Sequence, residues 1–191
     1  MKKLDQLLFT GAIALWGILT GVRLLQAQQA NHIIPAILAL QTGFVAYRLI
    51  FRQPESKASE TSKRSIAWAS ALLPLGMQVQ GNTLLGDSLV MVGLFLVLWA
   101  LLALGNCFGI APADRGLIVS GPYRFIRHPM YAGELLSITG VVLSSVSVWN
   151  LLIFTVTLSC IFLRIGWEEK LVSGYSFYAC QVPWRLVPRV W

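Results

Sequence analysis

Two short stretches of this chain gather side chains that can bind charge or exchange protons. The first is RGLIVSGPYRFIRHPMYAGE, running from Arg115 to Glu134. Gly121-Pro122 marks a turn, and Pro129 suits the first turn of a helix because its missing N–H has no partner there anyway. His128 then stands at the helix start. Tyr131 and Glu134, three apart, share a face of that helix. The second stretch is Arg164-Ile-Gly-Trp-Glu168-Glu169-Lys170, at the end of an apolar run. Arg164 and Glu168 are four apart and neighbours on a helix, whereas Glu169 points about 100° away.

Imidazole, phenol, guanidinium and carboxylate together suit a site for a charged or hydroxylated ligand. Ionisable groups at the end of an apolar span face a bundle interior or a wet cavity, which makes Glu134, Arg164 and Glu168 functional candidates. Two plainer readings stand beside this one. Arg-His-Pro and Tyr at a membrane border anchor a helix, and Arg164 with Glu168 makes an exposed pair worth about 0.2–0.5 kcal/mol. Spacing leaves both readings open. The tail Tyr175–Trp191 mixes aromatics, Pro and Arg, as an interfacial segment across a bundle mouth would, and a simple border anchor has the same composition.

These groups need elements to position them, and the composition says what kind. Of 191 residues, 56% are hydrophobic and 12% charged, against about 25% charged in a soluble domain. That deficit points to a membrane protein. The net charge of +7 raises nucleic acid as a partner, but the basic residues flank apolar runs and no nucleic-acid-binding pattern accompanies them. A basic edge facing anionic lipid accounts for the sign. Cys107, Cys160 and Cys180 have neither disulfide-framework nor metal-site spacing, so no metal is expected. The Lys2-Lys3 start leads into an apolar stretch without a cleavage signal, which reads as an uncleaved first span.

Six apolar segments follow: Leu4–Leu25, Ile33–Phe51, Ile66–Val79, Leu89–Leu104, Tyr131–Val146 and Val148–Ile165. A perpendicular crossing takes about 20 residues. The third segment is short and interrupted by Pro74, so the count is six spans, or five if it stays at the surface. With all six crossing and the N-terminus cytoplasmic, fourteen Lys/Arg fall on the cytoplasmic side and Arg23 alone on the other, a strong positive-inside bias. The expected fold is all-α: a polytopic transmembrane helical bundle with a cytoplasmic cofactor-binding loop and C-terminal segment. Residues 1–104 hold the N-terminal spans and a basic connector, and residues 105–191 the catalytic region, in one integrated domain. The polar connector Arg52–Ser65 is expected to be mobile. A tight turn at Ser144–Ser147 separates the last two spans. The sequence shows no P-loop and no dinucleotide fingerprint. No obligate protein partner is evident, and no span shows a convincing GxxxG face.

The strings GNCFGIAPADRGLIVSGPYRFIRHPMYAGELL, RIGWEEKL and YSFYACQVPWRLVP resemble the isoprenylcysteine carboxyl methyltransferase family, itself similar to the phospholipid amine methyltransferases. The resemblance covers about the last 90 residues. It implies a membrane methyltransferase using S-adenosylmethionine in a cytosol-facing pocket, acting on a hydrophobic or prenylated acceptor. By the same resemblance Arg115, Gly116, Leu117, Ile118 and Tyr123 hold the cofactor, and His128, Pro129, Met130 and Tyr131 surround its adenosyl part. Glu168 meets one of its cationic or hydroxyl groups, and Arg164 binds the substrate, with Glu134 counted on the substrate side. Arg115 stands where some members carry His. Two rivals remain. An NADPH-dependent membrane reductase of the sterol type resembles the chain in its His-Pro-x-Tyr-x-Gly-Glu start and Val-Pro-Trp-Arg tail, though Glu168-Glu169 fits the methyltransferases. The other rival is a non-catalytic membrane subunit.

Overall fold

The computed structural model describes residues 2–29, 33–79, 81 and 83–191. Met1 and the side chains of Lys2, Lys3 and Arg23, which enter the charge count, lie outside the described residues. The protein is mostly helical, and it divides into two compact units, 1–52 and 53–191.

The first unit is a pair of helices, α1 (Lys2–Gln29) and α2 (Ile33–Ile50). Thr20 on α1 donates to Thr42 on α2 at 3.1 Å. A side chain at Gly43 would meet the Thr20 methyl at 3.3 Å, so the helices approach closely at that level.

The second unit carries everything that builds the site. Its long elements are α4 (Leu84–Leu104), α5 (Pro129–Ser144) and α6 (Val148–Leu171). Two of these, Leu84–Cys107 and Val148–Leu171, are the helices among the described residues long and apolar enough to cross a membrane. Thr83 caps α4 by accepting from Gly86 N at 3.0 Å, and Ser147 caps α6 by accepting from Asn150 N at 3.1 Å, each satisfying an otherwise orphaned donor. The serine turn between α5 and α6 is as short as expected. Helix α6, however, runs on to Leu171, so Arg164, Glu168 and Glu169 belong to one continuous helix.

Glycines set how near α4 and α5 come. A Cβ at Gly133 would lie 2.6 Å from Gly93 O and 2.9 Å from Val97 N. Backbones in such contact make α5 a rigid mount for the residues at its start. The third apolar segment forms α3 (Thr61–Leu72), which passes into a 3-10 turn at Leu73–Gly76 containing Pro74. Twelve α-helical residues rise only about 18 Å.

The connector is not a free loop. Lys57–Ala58 (β1) pairs antiparallel with Ala113–Asp114 (β2), Lys57 opposite Asp114. Flanking bonds run from Gln53 N to Asn106 O at 2.7 Å and from Ser59 N to Pro112 O at 3.3 Å. Polarity suggested mobility, but the backbone partners that order this stretch come from more than 50 residues away.

Candidate active site

A cavity of about 110 Å³, with about 750 Å³ of empty space once its open mouth is counted, lies among the loop after α4, the start of α5 and the end of α6. The enclosed part is smaller than the usual range for ligand clefts, about 300–1,000 Å³, and it opens to solvent at its mouth. Its wall includes Arg115, Gly116, Leu117, Ile118, Tyr123, His128, Met130, Tyr131 and Glu168. Nine of the expected site residues, drawn from three chain segments, therefore meet around one space. Pro129, Glu134 and Arg164 do not line it.

Local backbone chemistry places the loop. Gly116 has φ +101°, a conformation L-residues avoid. Its N–H donates to Asp114 Oδ1 at 3.1 Å. Asp114 Oδ2 accepts from Ser173 N at 3.1 Å and Ser173 Oγ at 2.7 Å, which ties the loop to the end of α6. These bonds, the Ser173 hydroxyl foremost, hold the buried Asp114 carboxyl below its ordinary pKa despite its burial.

His128 is the N-cap residue of α5, and Pro129 fills the first helical position. The imidazole lies between two phenol rings, stacked on Tyr131 at 5.8 Å and on Tyr175 at 6.2 Å between centroids. Its Nε2 is 2.9 Å from Tyr175 OH and 3.3 Å from Glu169 Oε1, and its Nδ1 is 3.9 Å from Glu168 Oε2. Tyr131 OH donates a short hydrogen bond to Glu168 Oε1. That bond fixes one carboxylate oxygen and leaves the group presented to the cavity.

Arg164 is held differently from the helical pair expected with Glu168. It is 3% exposed and donates to Ile110 O at 2.9 Å and to Ser70 Oγ at 3.4 Å, not to Glu168 in a helical pair. Its guanidinium lies over the Tyr131 ring at 4.9 Å. The side chain thus backs the cavity wall from one layer behind. A residue four positions from Glu168 was drawn away because α3 and the 110 loop offer it buried acceptors.

The tail reaches the site. Gly174, at φ +77°, turns the chain from α6 into α7 (Tyr175–Gln181), and Tyr175 and Tyr178 enter the cavity wall with Arg127. Tyr178 OH donates to Tyr123 O at 2.5 Å. Burial pushes the Tyr178 phenol up to about 12. It raises Tyr123 and Tyr175 as well, reinforced by the Glu168 and Glu169 charges respectively, so all three stay protonated at neutral pH. Glu169 is the hub of this side: Arg185 meets it in a fork at 2.8 and 2.9 Å, and Arg127 approaches at 3.2 Å. Sequence reasoning left Arg127, Glu169, Tyr175 and Tyr178 out of the site. The Tyr175/Tyr178 spacing of three was the one local signal for them.

With this geometry in place, comparison with known families becomes informative. The model of the family described as phospholipid methyltransferase matches residues 82–176. The chain is similar to that family over 95 of its 191 residues. The match spans α4, the cavity loop, α5, α6 and the first two residues of α7, which together carry most of the cavity wall. The family takes in the isoprenylcysteine carboxyl methyltransferases, in accord with the motif resemblance. The similarity implies a methyltransferase and, with the two long apolar helices, suggests association with a membrane. No individual curated protein matches it.

Proposed function

We propose that the chain is a multi-pass membrane methyltransferase that uses S-adenosylmethionine and methylates a hydrophobic acceptor, with its cavity and both termini on the cytoplasmic side. The observation that carries the reading is the Glu168 carboxylate, presented into an aromatic-walled cavity by Tyr131. The donor set suits an adenosyl cofactor: ring faces for a purine, a carboxylate for hydroxyl or ammonium groups, and phenols that stay protonated. Gly116 to Ile118, Tyr123, His128, Met130 and Tyr131 would hold it, with Arg115 and Pro129 fixing the loop and the helix start.

When bound, this cofactor supplies a methyl group already activated on a sulfonium. The protein's part is then alignment and exclusion of water, which can supply about 7–11 kcal/mol of a barrier through positioning. Tyr131 and Glu168 orient one another through their hydrogen bond, and Arg164 steadies the Tyr131 ring from behind. The apolar outer faces of α4 and α6 offer a lipid-soluble acceptor a lateral approach. A prenylcysteine carboxylate, a phospholipid amine and a small hydrophobic thiol or acid are the acceptor classes in view.

Binding of labelled S-adenosylmethionine to the purified protein tests the reading. Uptake by the wild type and clear weakening in Glu168→Gln are expected. No binding, or a Glu168→Gln variant that binds as well as wild type, would sink it. A thermal shift with NADPH but none with the methyl donor would favour the reductase, since ligand at 100 times its Kd adds about 2.7 kcal/mol. Mass spectrometry of lipid extracts incubated with methyl-labelled donor would identify the acceptor class.

A further inference from the structure

The stretch Gln53–Glu60 lies outside the segment the family model matches, yet it is bonded along its length to the cavity loop. Three backbone N–H groups reach across: Gln53 to Asn106 O at 2.7 Å, Ser56 to Asp114 O at 2.9 Å and Ser59 to Pro112 O at 3.3 Å. Ser56 Oγ adds a bond to the same Asp114 carbonyl at 3.2 Å. In the middle sits Glu55. One carboxylate oxygen accepts from Arg115 Nη2 at 2.8 Å, and the other accepts from Arg64 Nη1 of α3 at 2.9 Å. The Arg115 side chain is 3% exposed, against 28% for Glu55. Its other terminal nitrogen donates to Ala111 O at 3.3 Å, and a Cβ at Gly109 would collide with the guanidinium. Arg115 is therefore packed into its own loop and turned to Glu55.

We infer that Gln53–Glu60 is a strap that fixes the cavity wall 109–118, and that Glu55 is its positioning residue, acting on the bound ligand only through Arg115. A guanidinium sealed from water needs a charged acceptor, and Glu55 supplies it from a segment that backbone bonds hold in register. Because the same carboxylate grips α3, the wall is braced against the helix that also receives Arg164 through Ser70. Binding of an adenosyl ligand against Gly116–Ile118 is then stronger when the strap is in place. That last consequence rests on the proposed function, whereas the fixing of the wall does not.

The test uses the full chain in detergent or nanodiscs, with two readouts. Amide hydrogen exchange without ligand reads the wall directly. Glu55→Ala should speed exchange about tenfold over 109–118 while α5 and α6 keep their protection, because opening is local. Glu55→Gln keeps an acceptor for Arg115 and should fall about midway. Lys57→Ala, an exposed strap side chain, should change nothing. Calorimetry with S-adenosylhomocysteine reads the consequence. Glu55→Ala should bind about tenfold more weakly, and Glu55→Ala/Arg115→Met no more weakly than Glu55→Ala, as expected for residues acting as one unit. Wild-type exchange at 109–118 in Glu55→Ala would overturn the inference, as would faster exchange spread evenly through all helices. Should the wild type bind no S-adenosylhomocysteine while exchange still rises locally in Glu55→Ala, the strap stands and the methyl-donor reading falls.

Discussion

Replacing Glu169 by glutamine removes one charge from the point where the tail, α5 and α6 meet. Oε1 receives Arg185 Nε at 2.8 Å, Arg127 Nη1 at 3.2 Å and Tyr175 OH at 3.2 Å, and Oε2 receives Arg185 Nη2 at 2.9 Å. Two guanidinium groups thus depend on it. Breaking a buried ion pair costs about 3–5 kcal/mol. Here Glu169 is 15% exposed and Arg185 34%, so water recovers part of the loss and about 3 kcal/mol is the working figure. At about 2–4 °C per kcal/mol for a chain of this size, Tm in detergent should fall by about 6–12 °C. The damage should be greatest in the tail. It is held by Arg127 N to Trp184 O at 2.8 Å, His128 N to Arg185 O at 2.9 Å and Arg127 Nη2 to Pro183 O at 3.0 Å, and two of these bonds come from a residue that has lost its counter-charge. Limited trypsin digestion followed by mass spectrometry should show faster cleavage after Arg185 and Arg189 in Glu169→Gln. An unchanged Tm together with wild-type cleavage would refute the claim that this carboxylate organises the tail side of the cavity.

Two further outcomes follow from the same structure. Gly133→Ala places a methyl 2.6 Å from Gly93 O and should cost about 1–3 kcal/mol of overpacking. Gly166→Ala, with nothing within 4 Å, should leave Tm unchanged or raise it through helix propensity, and equal Tm changes in the two variants would contradict the close α4–α5 approach. Asp114, whose folded pKa lies below its ordinary value of about 3.9, contributes stability that is fully present above that value and is lost as pH falls through the folded pKa. Thermal scans from pH 6 to 3 should therefore show a decline below about pH 4 that is shallower in Asp114→Asn, and parallel profiles would remove Asp114 from the acid response.

The fold was legible where one physical signal dominated. Long apolar runs at Leu89–Leu104 and Val148–Ile165 announced α4 and α6, because few sequences of that hydropathy have another stable state. The serine turn and Pro129 likewise marked the bounds of α5. Boundaries failed where polar residues continue a helix, as at Gly166–Leu171, where Glu168 and Glu169 find protein partners. The connector was misjudged for the same reason: RQPESKASETSKRS has the composition of a mobile loop, and its order comes from Asp114, Arg115 and Asn106.

What the sequence determined by itself is the class of protein and most of the cavity's residues, since helical spacing and the His-Pro-x-Tyr string are local properties. The roles were decided by tertiary structure. Arg164 and Glu168 are close in sequence, yet Arg164 turns to Ile110 and Ser70 while Glu168 accepts a hydrogen bond from Tyr131 OH. Glu169, expected to point elsewhere, became the hub because Arg127 and Arg185 converge on it from both sides. Partners brought from 16 to 94 residues away compete with the near neighbours for these side chains.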